Sequence, residues 1–171
     1  MNLNIVLYKP EIPQNTGNIA RTCVLTDSVL HLIKPLGFSI DDKAVKRSGL
    51  DYWKDLKLEV HESYEDFIAK YGDRRIFLAT THGGKFYSEE SYEPGDFIMF
   101  GRESSGIPHD ILREHKDHLM RIPMAINARS LNLSNSVSIV VYEALRQQDF
   151  YGLSTFETIK GEEFLEEENK K

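Results

Sequence analysis

The sequence predicts an α/β domain built on a mostly parallel, six-stranded sheet flanked by helices. Three observations predict it. Short apolar runs without polar alternation recur along the chain, as in strands covered on both faces. Helical periodicities lie between several of these runs, which implies crossover connections between parallel strands. Finally, 171 residues at 40% hydrophobic content suffice for one buried core.

The expected strands are Leu3–Tyr8, Val29–Lys34, Leu56–His61, Arg75–Thr81, Asp96–Gly101 and Leu119–Met124. The first helix, Asn15–Thr26, follows an extended Lys9–Pro13 loop held by Pro10 and Pro13, with Asn15 or Thr16 as its cap. On it Ile19, Cys23 and Thr26 form one row beside Ala20, Val24 and Asp27. Cys23 therefore reads as a core residue, and Arg21 falls off that face. Tyr64–Tyr71 is the second helix. Ile107–His115 is the third, with Pro108 suited to its first turn. In the last helix Val137, Val140, Val141, Ala144 and Leu145 repeat at helical spacing as one apolar stripe. Ahead of it, one of Asn132, Ser134 or Asn135 supplies the cap, yet Arg129, Ser130 and Ser136 add further polar groups. One cap is all a helix needs.

Residues 1–152 are expected to form one domain and 153–171 an acidic tail. The tail accounts for much of the charge. Within GEEFLEEENKK five Glu face two Lys, giving −3 of the total −6 and leaving −3 for residues 1–160. Such a balance disfavours broad electrostatic binding to nucleic acid. Lys43, Lys46 and Arg47 are the densest basic cluster, read first as an exposed helix face. No apolar run is long enough to span a bilayer, and the N-terminus lacks the pattern of an export signal. One cysteine excludes an internal disulfide and suits a reducing compartment, so a cytoplasmic location is expected.

Familiar chemical signatures are missing. Neither GxGxxG nor GxxxxGK[ST] occurs, no GxSxG elbow appears, and no His/Cys spacing resembles a metal site. His115 and His118 straddle a helix end and read as solvated side chains. Ligands of open parallel sheets bind beyond the carboxyl ends of the strands. That rule selects THGG after the fourth strand, RESSGIP after the fifth and AINARSLNLSN after the sixth as walls of one pocket. In GRESSGIP, Gly101 and Gly106 permit close backbone approach and a sharp turn, and Glu103 can accept hydrogen bonds from ribose hydroxyls or an amine.

Taken together, NTGNIARTC, GRESSGIP and IPMAINARSLNLSNSVSIVVYEA resemble the three motifs of the SPOUT methyltransferases. More narrowly they resemble the small tRNA wobble-nucleotide 2'-O-methyltransferases without an added RNA-binding domain. The resemblance covers about residues 1–150. It implies a C-terminal trefoil knot, an exception to the rule that chains avoid knots. It also implies bent S-adenosyl-L-methionine in the knot's loops, no metal, and a homodimer acting on tRNA.

Residue by residue, the resemblance implies that Ala79 lines the adenosine site, that Gly101 brings the chain close to the cofactor and that Ile122 packs on the adenine. Ser130 and Leu131 close the pocket, while Glu103 and Gly106 match the middle motif. Arg21 matches the family's N-terminal arginine and is the candidate catalytic residue, preceded by Asn15 and Asn18. Asn15, Arg21, Arg129 and Tyr142 are the implied RNA contacts, and Lys43, Lys46 and Arg47 join Arg129 in a groove spanning the dimer. A guanidinium is a poor base, so Arg21 is expected to grip phosphate and hydroxyl while phosphate or water takes the proton. Two other readings remain: a ribosomal RNA 2'-O-methyltransferase, and a non-catalytic module that binds an adenosine ligand or RNA. The acidic tail departs from the family pattern.

Overall fold

The computed structural model describes residues 3–40, 52–154 and 156–157. Lys43, Lys46, Arg47 and most of the expected tail lie outside these residues. The strands are β1 (Asn4–Tyr8), β2 (Val29–Ile33), β3 (Lys57–His61), β4 (Ile76–Ala79), β5 (Lys85–Phe86), β6 (Phe97–Phe100) and β7 (Leu119–Arg121). The helices are α1 (Pro13–Leu25), α2 (Tyr64–Tyr71), α3 (His109–Glu114) and α4 (Leu133–Gln147). All seven strands join one sheet in the order β3-β2-β1-β6-β4-β7-β5, and every pairing is parallel.

Six strands were expected, and seven form among the described residues. The extra one, β5, is a two-residue edge pairing beside β7, too short and too polar to read from its sequence. The last expected strand ends three residues early, at Arg121, just before Ile122 and Pro123; a proline offers no N–H to a ladder.

Both faces of the sheet are covered. Ile5, Leu7, Leu30, Leu32, Phe77, Ile98 and Phe100 pack with Ile19 and Cys23 of α1 and the Val137–Leu145 stripe of α4. The intervening residues Val6, Ile33, Ile76, Leu78, Phe97 and Met99 pack with Phe67 of α2 and Ile111 and Leu112 of α3. Alternate residues thus serve opposite cores, which is why the strands read as unbroken apolar runs. Cys23 is fully buried, as its row on α1 implies, and burial pushes its thiol pKa up. Asp27 departs from that row: it follows the helix at φ +52° and pairs with Lys57 at the surface.

His31 of β2 is completely buried, and desolvation pulls its pKa down to about 4. The folded state therefore binds this proton less readily than the unfolded chain. The stabilisation is present above about pH 6.5 and is lost as the pH falls toward 4. Urea unfolding at pH 5 is expected to give about 2 kcal/mol less stability than at pH 7 from this group alone. His31→Asn should remove most of that difference.

Candidate functional site

The carboxyl ends of β4, β6 and β7 open into one cavity of about 530 Å³. Thr80, Thr81 and His82 line it after β4, Gly101–Ile107 after β6, and Ile122, Met124 and Arg129–Leu133 after β7. Ile12 and Asn15, at the start of α1, complete the wall. The three loops selected by the strand-end rule therefore do form one pocket. Ala79, Gly101, Glu103, Gly106, Ile122, Arg129, Ser130, Leu131 and Asn15 all line it. Arg21, Asn18 and Tyr142 do not. Arg21 is exposed on α1 with its guanidinium 4.9 Å from the centre of the Tyr52 ring, and Tyr142 is half-exposed on α4.

The loop after β6 folds tightly on itself. Arg102 and Gly106 form an antiparallel bridge, the Gly106 amide donates to the Arg102 carbonyl at 2.9 Å, and Gly106 adopts φ +70°. A side chain at Gly101 would place its Cβ 2.1 Å from the carbonyl carbon of Gly106 and 2.3 Å from the Ile107 nitrogen. Gly101 thus serves the loop's own backbone, whatever it also offers a ligand.

Helix α1 is not capped as its sequence suggests. Its N-cap is Ile12, which has no side-chain acceptor, and Asn15 and Thr16 lie inside the first turn. Glu103 fills the gap from 91 residues away. Its Oε2 accepts from the Glu11 amide at 2.8 Å, and its Oε1 accepts from the Ile12 amide at 3.2 Å and from Asn15 Nδ2 at 3.0 Å. Both oxygens are engaged, so a bond to ribose or an amine competes with these. Glu11 answers in the opposite direction: its carboxylate accepts from the amide and hydroxyl of Ser104, which hold its pKa below the usual value.

The tie continues into the last loop. Asn132 Nδ2 donates to Asn15 Oδ1 at 3.0 Å, while Asn132 Oδ1 caps α4 by accepting from the Ser134 and Asn135 amides. The surplus of polar residues before α4 is thereby accounted for. Asn132 is the cap, and Ser134 and Ser136 hydroxyls donate back to its side-chain and main-chain oxygens. Arg129 and Ser130 face the cavity. Asn132, Asn15 and Glu103 form one chain of hydrogen bonds joining the loop after β7, the start of α1 and the loop after β6.

Several lining residues lie in or beside the loops that the strand-end rule selects, yet no motif gives them a role. His82 and His109 meet edge to face, with ring centres 5.4 Å apart. The guanidinium of Arg102 lies 5.8 Å from the Tyr8 ring centre, with its Nε buried and unpartnered. Each contact joins residues far apart in the chain, which is why the sequence alone does not pair them. His115 and His118 correct an expectation, since both are partly buried. The His115 ring bonds to the Tyr64 hydroxyl at 3.0 Å, and His118 packs on Phe77.

Comparison with known proteins agrees with this geometry. Residues 2–142 match the model of the SpoU rRNA Methylase family. The tRNA (cytidine(34)-2'-O)-methyltransferase of Escherichia coli is 48% identical over 151 residues, covering 88% of this chain and 96% of its own. A solved structure described as giving insights into the 2-OH methylation of C/U34 on tRNA is 41% identical, with a TM-score of 0.82 over 86% of this chain and 97% of that one. The AviRb methyltransferase of Streptomyces viridochromogenes, solved with AdoMet, shares the fold at a TM-score of 0.78 and 23% identity, over 86% of this chain and 58% of its own. With its parallel sheet, its pocket at the strand ends and a family match across more than four-fifths of its length, this chain belongs to the SpoU methylase family.

Proposed function

We propose that this protein transfers the methyl group of S-adenosyl-L-methionine to the ribose 2'-hydroxyl of the wobble pyrimidine, the first anticodon position, of tRNA. The observation that carries this reading is the convergence of Ala79, Gly101, Ile122, Ser130 and Leu131 on one cavity of about 530 Å³. That volume suits a nucleoside-sized ligand. The donor set also fits the cofactor: Phe100, Ile122, Leu131 and Leu133 offer an apolar wall for a base, and Thr80, Ser130 and Ser136 offer hydroxyls. The curated relatives and the C/U34 structure support tRNA as the substrate.

When bound, the cofactor supplies an electrophilic methyl group on a sulfonium. The protein's own task is to hold the ribose in line with it, and such positioning is worth about 7–11 kcal/mol in favourable cases. Arg21 lies outside its own chain's cavity, which supports an RNA site completed by a second copy of the chain, with Arg129 and Tyr142 as further contacts. Arg21 there clamps the adjoining phosphate and the hydroxyl, and a forked guanidinium suits that role better than an ammonium. A cytoplasmic homodimer and a C-terminal trefoil knot belong to the same reading.

Labelled methyl groups are expected to pass from the cofactor to bulk tRNA and to map to nucleotide 34. Incorporation into ribosomal RNA alone, or none with folded protein, overturns the assignment. Arg21→Lys is expected to lower kcat about 100-fold with cofactor affinity unchanged; near-normal turnover would refute the forked contact.

A further inference from the structure

A second cluster of reactive side chains lies away from the cavity, on the outer strands of the sheet. The register pairs His31 with Glu59 and Ile33 with His61. Residues two apart on a strand share a face, so His31, Glu59 and His61 project together beneath α2. His31 is fully buried, His61 is 7% exposed, and Glu59 reaches solvent at the sheet's edge. His31 Nδ1 lies 3.1 Å from His61 Nε2 and 4.0 Å from Glu59 Oε2. Among the described residues this is the one group of three or more such side chains whose ligand atoms all come this close. None of the three lines the cavity.

The surroundings decide which nitrogen is available. Asn4 Nδ2 donates to the Gly95 carbonyl at 2.9 Å, which turns its Oδ1 toward His31 Nε2 at 3.2 Å. That oxygen only accepts, so Nε2 carries the proton and Nδ1 presents its lone pair to His61 and Glu59. The carboxylate is braced as well: Tyr71 donates to both its oxygens at 2.9 Å, and Lys70 Nζ donates to Oε2 at 2.7 Å.

We propose that His31 Nδ1, His61 Nε2 and Glu59 Oε2 form a site for a divalent transition ion of the zinc class, which clamps edge strand β3 to β2. Two imidazoles and a carboxylate are a common donor set for such ions. Ligand atoms 2.0–2.1 Å from a tetrahedral ion stand about 3.3 Å apart. The two nitrogens are already near that spacing, and the partly exposed carboxylate, with all three ligand atoms within 4.8 Å of one another, closes by about 0.7 Å on His31 and by up to about 1.5 Å on His61. Asn4 behind His31, with Tyr71 and Lys70 behind Glu59, provides the outer hydrogen bonds that orient metal ligands. Binding asks His61 only to carry its proton on Nδ1 instead of Nε2. Burial holds both imidazoles below their ordinary pKa, so protons do not compete at neutral pH. Water takes the fourth position from the open edge.

The test titrates chelator-stripped, full-length protein with Co²⁺ and Zn²⁺. One equivalent is expected to bind with the visible spectrum of tetrahedral cobalt. Zinc at a hundred times its Kd should raise the unfolding midpoint by about 5–10 °C. Ring ¹⁵N resonances of His31 Nδ1 and His61 Nε2 should shift. Glu59→Gln, on the partly exposed edge strand, and His61→Gln should each weaken binding at least about tenfold. The site is overturned if the wild-type protein binds no stoichiometric ion, if both variants bind as tightly as wild type, or if the shifted rings belong to other histidines.

Discussion

Glu103→Ala is expected to lower the unfolding free energy by about 2–4 kcal/mol, because it strips three hydrogen bonds from a carboxylate that closes an uncapped helix start. The amides of Glu11 and Ile12 would lose their acceptor at a helix whose own N-cap supplies none. The damage should not stay at α1. Asn15 would lose its anchor, and with it the bond to Asn132 that seats the last loop. Cofactor affinity should therefore fall about tenfold or more, a loss of at least ~1.4 kcal/mol. Urea unfolding and titration calorimetry on the same variant read both effects. Stability unchanged within about 0.5 kcal/mol, with cofactor binding lost, would make Glu103 a ligand contact and not a strut. Glu103→Gln should fall between wild type and alanine, since its amide keeps one accepting oxygen but turns an NH₂ toward a donor.

Gly101→Ala should do at least as much. Its methyl group would sit 2.1 Å from backbone carbon, with no flexible side chain to yield. Relief requires the 101–106 loop to open, breaking the Gly106-to-Arg102 bond and moving a large part of the cavity wall. A cost above about 3 kcal/mol is expected, with cofactor affinity down 100-fold or more. Gly106→Ala is the informative control. Space around Gly106 is open, so only its φ of +70° is strained, and about 1 kcal/mol should be lost. Thermal unfolding of the pair separates collision from strain. Equal losses would show that the close approach at Gly101 is not what confines it to glycine.

Local patterns were legible wherever one element decided them. The apolar stripe Val137–Leu145 is fully buried, Tyr64–Tyr71 is helical over its expected span, and the three strand-end loops meet. What escaped depends on partners far along the chain. No rule of local capping assigns the start of α1 to a carboxylate in the loop after β6. A glycine that matches a motif also does not announce whether a ligand or its own loop crowds it. Likewise His31, Glu59 and His61 share no spacing that suggests a site, because only the register between β2 and β3 brings the first to the other two.

The parallel sheet has a consequence for how the chain is made. Its middle strand, β6, lies between β1 and β4, so β1 waits some ninety residues of synthesis for its second neighbour. While the ribosome is still extending the chain, β1 and β4 each present a bare row of amides and carbonyls able to pair with the wrong polypeptide. Refolding should accordingly be slow, with yields that fall as protein concentration rises. Holdase chaperones that shield nascent strands should rescue them.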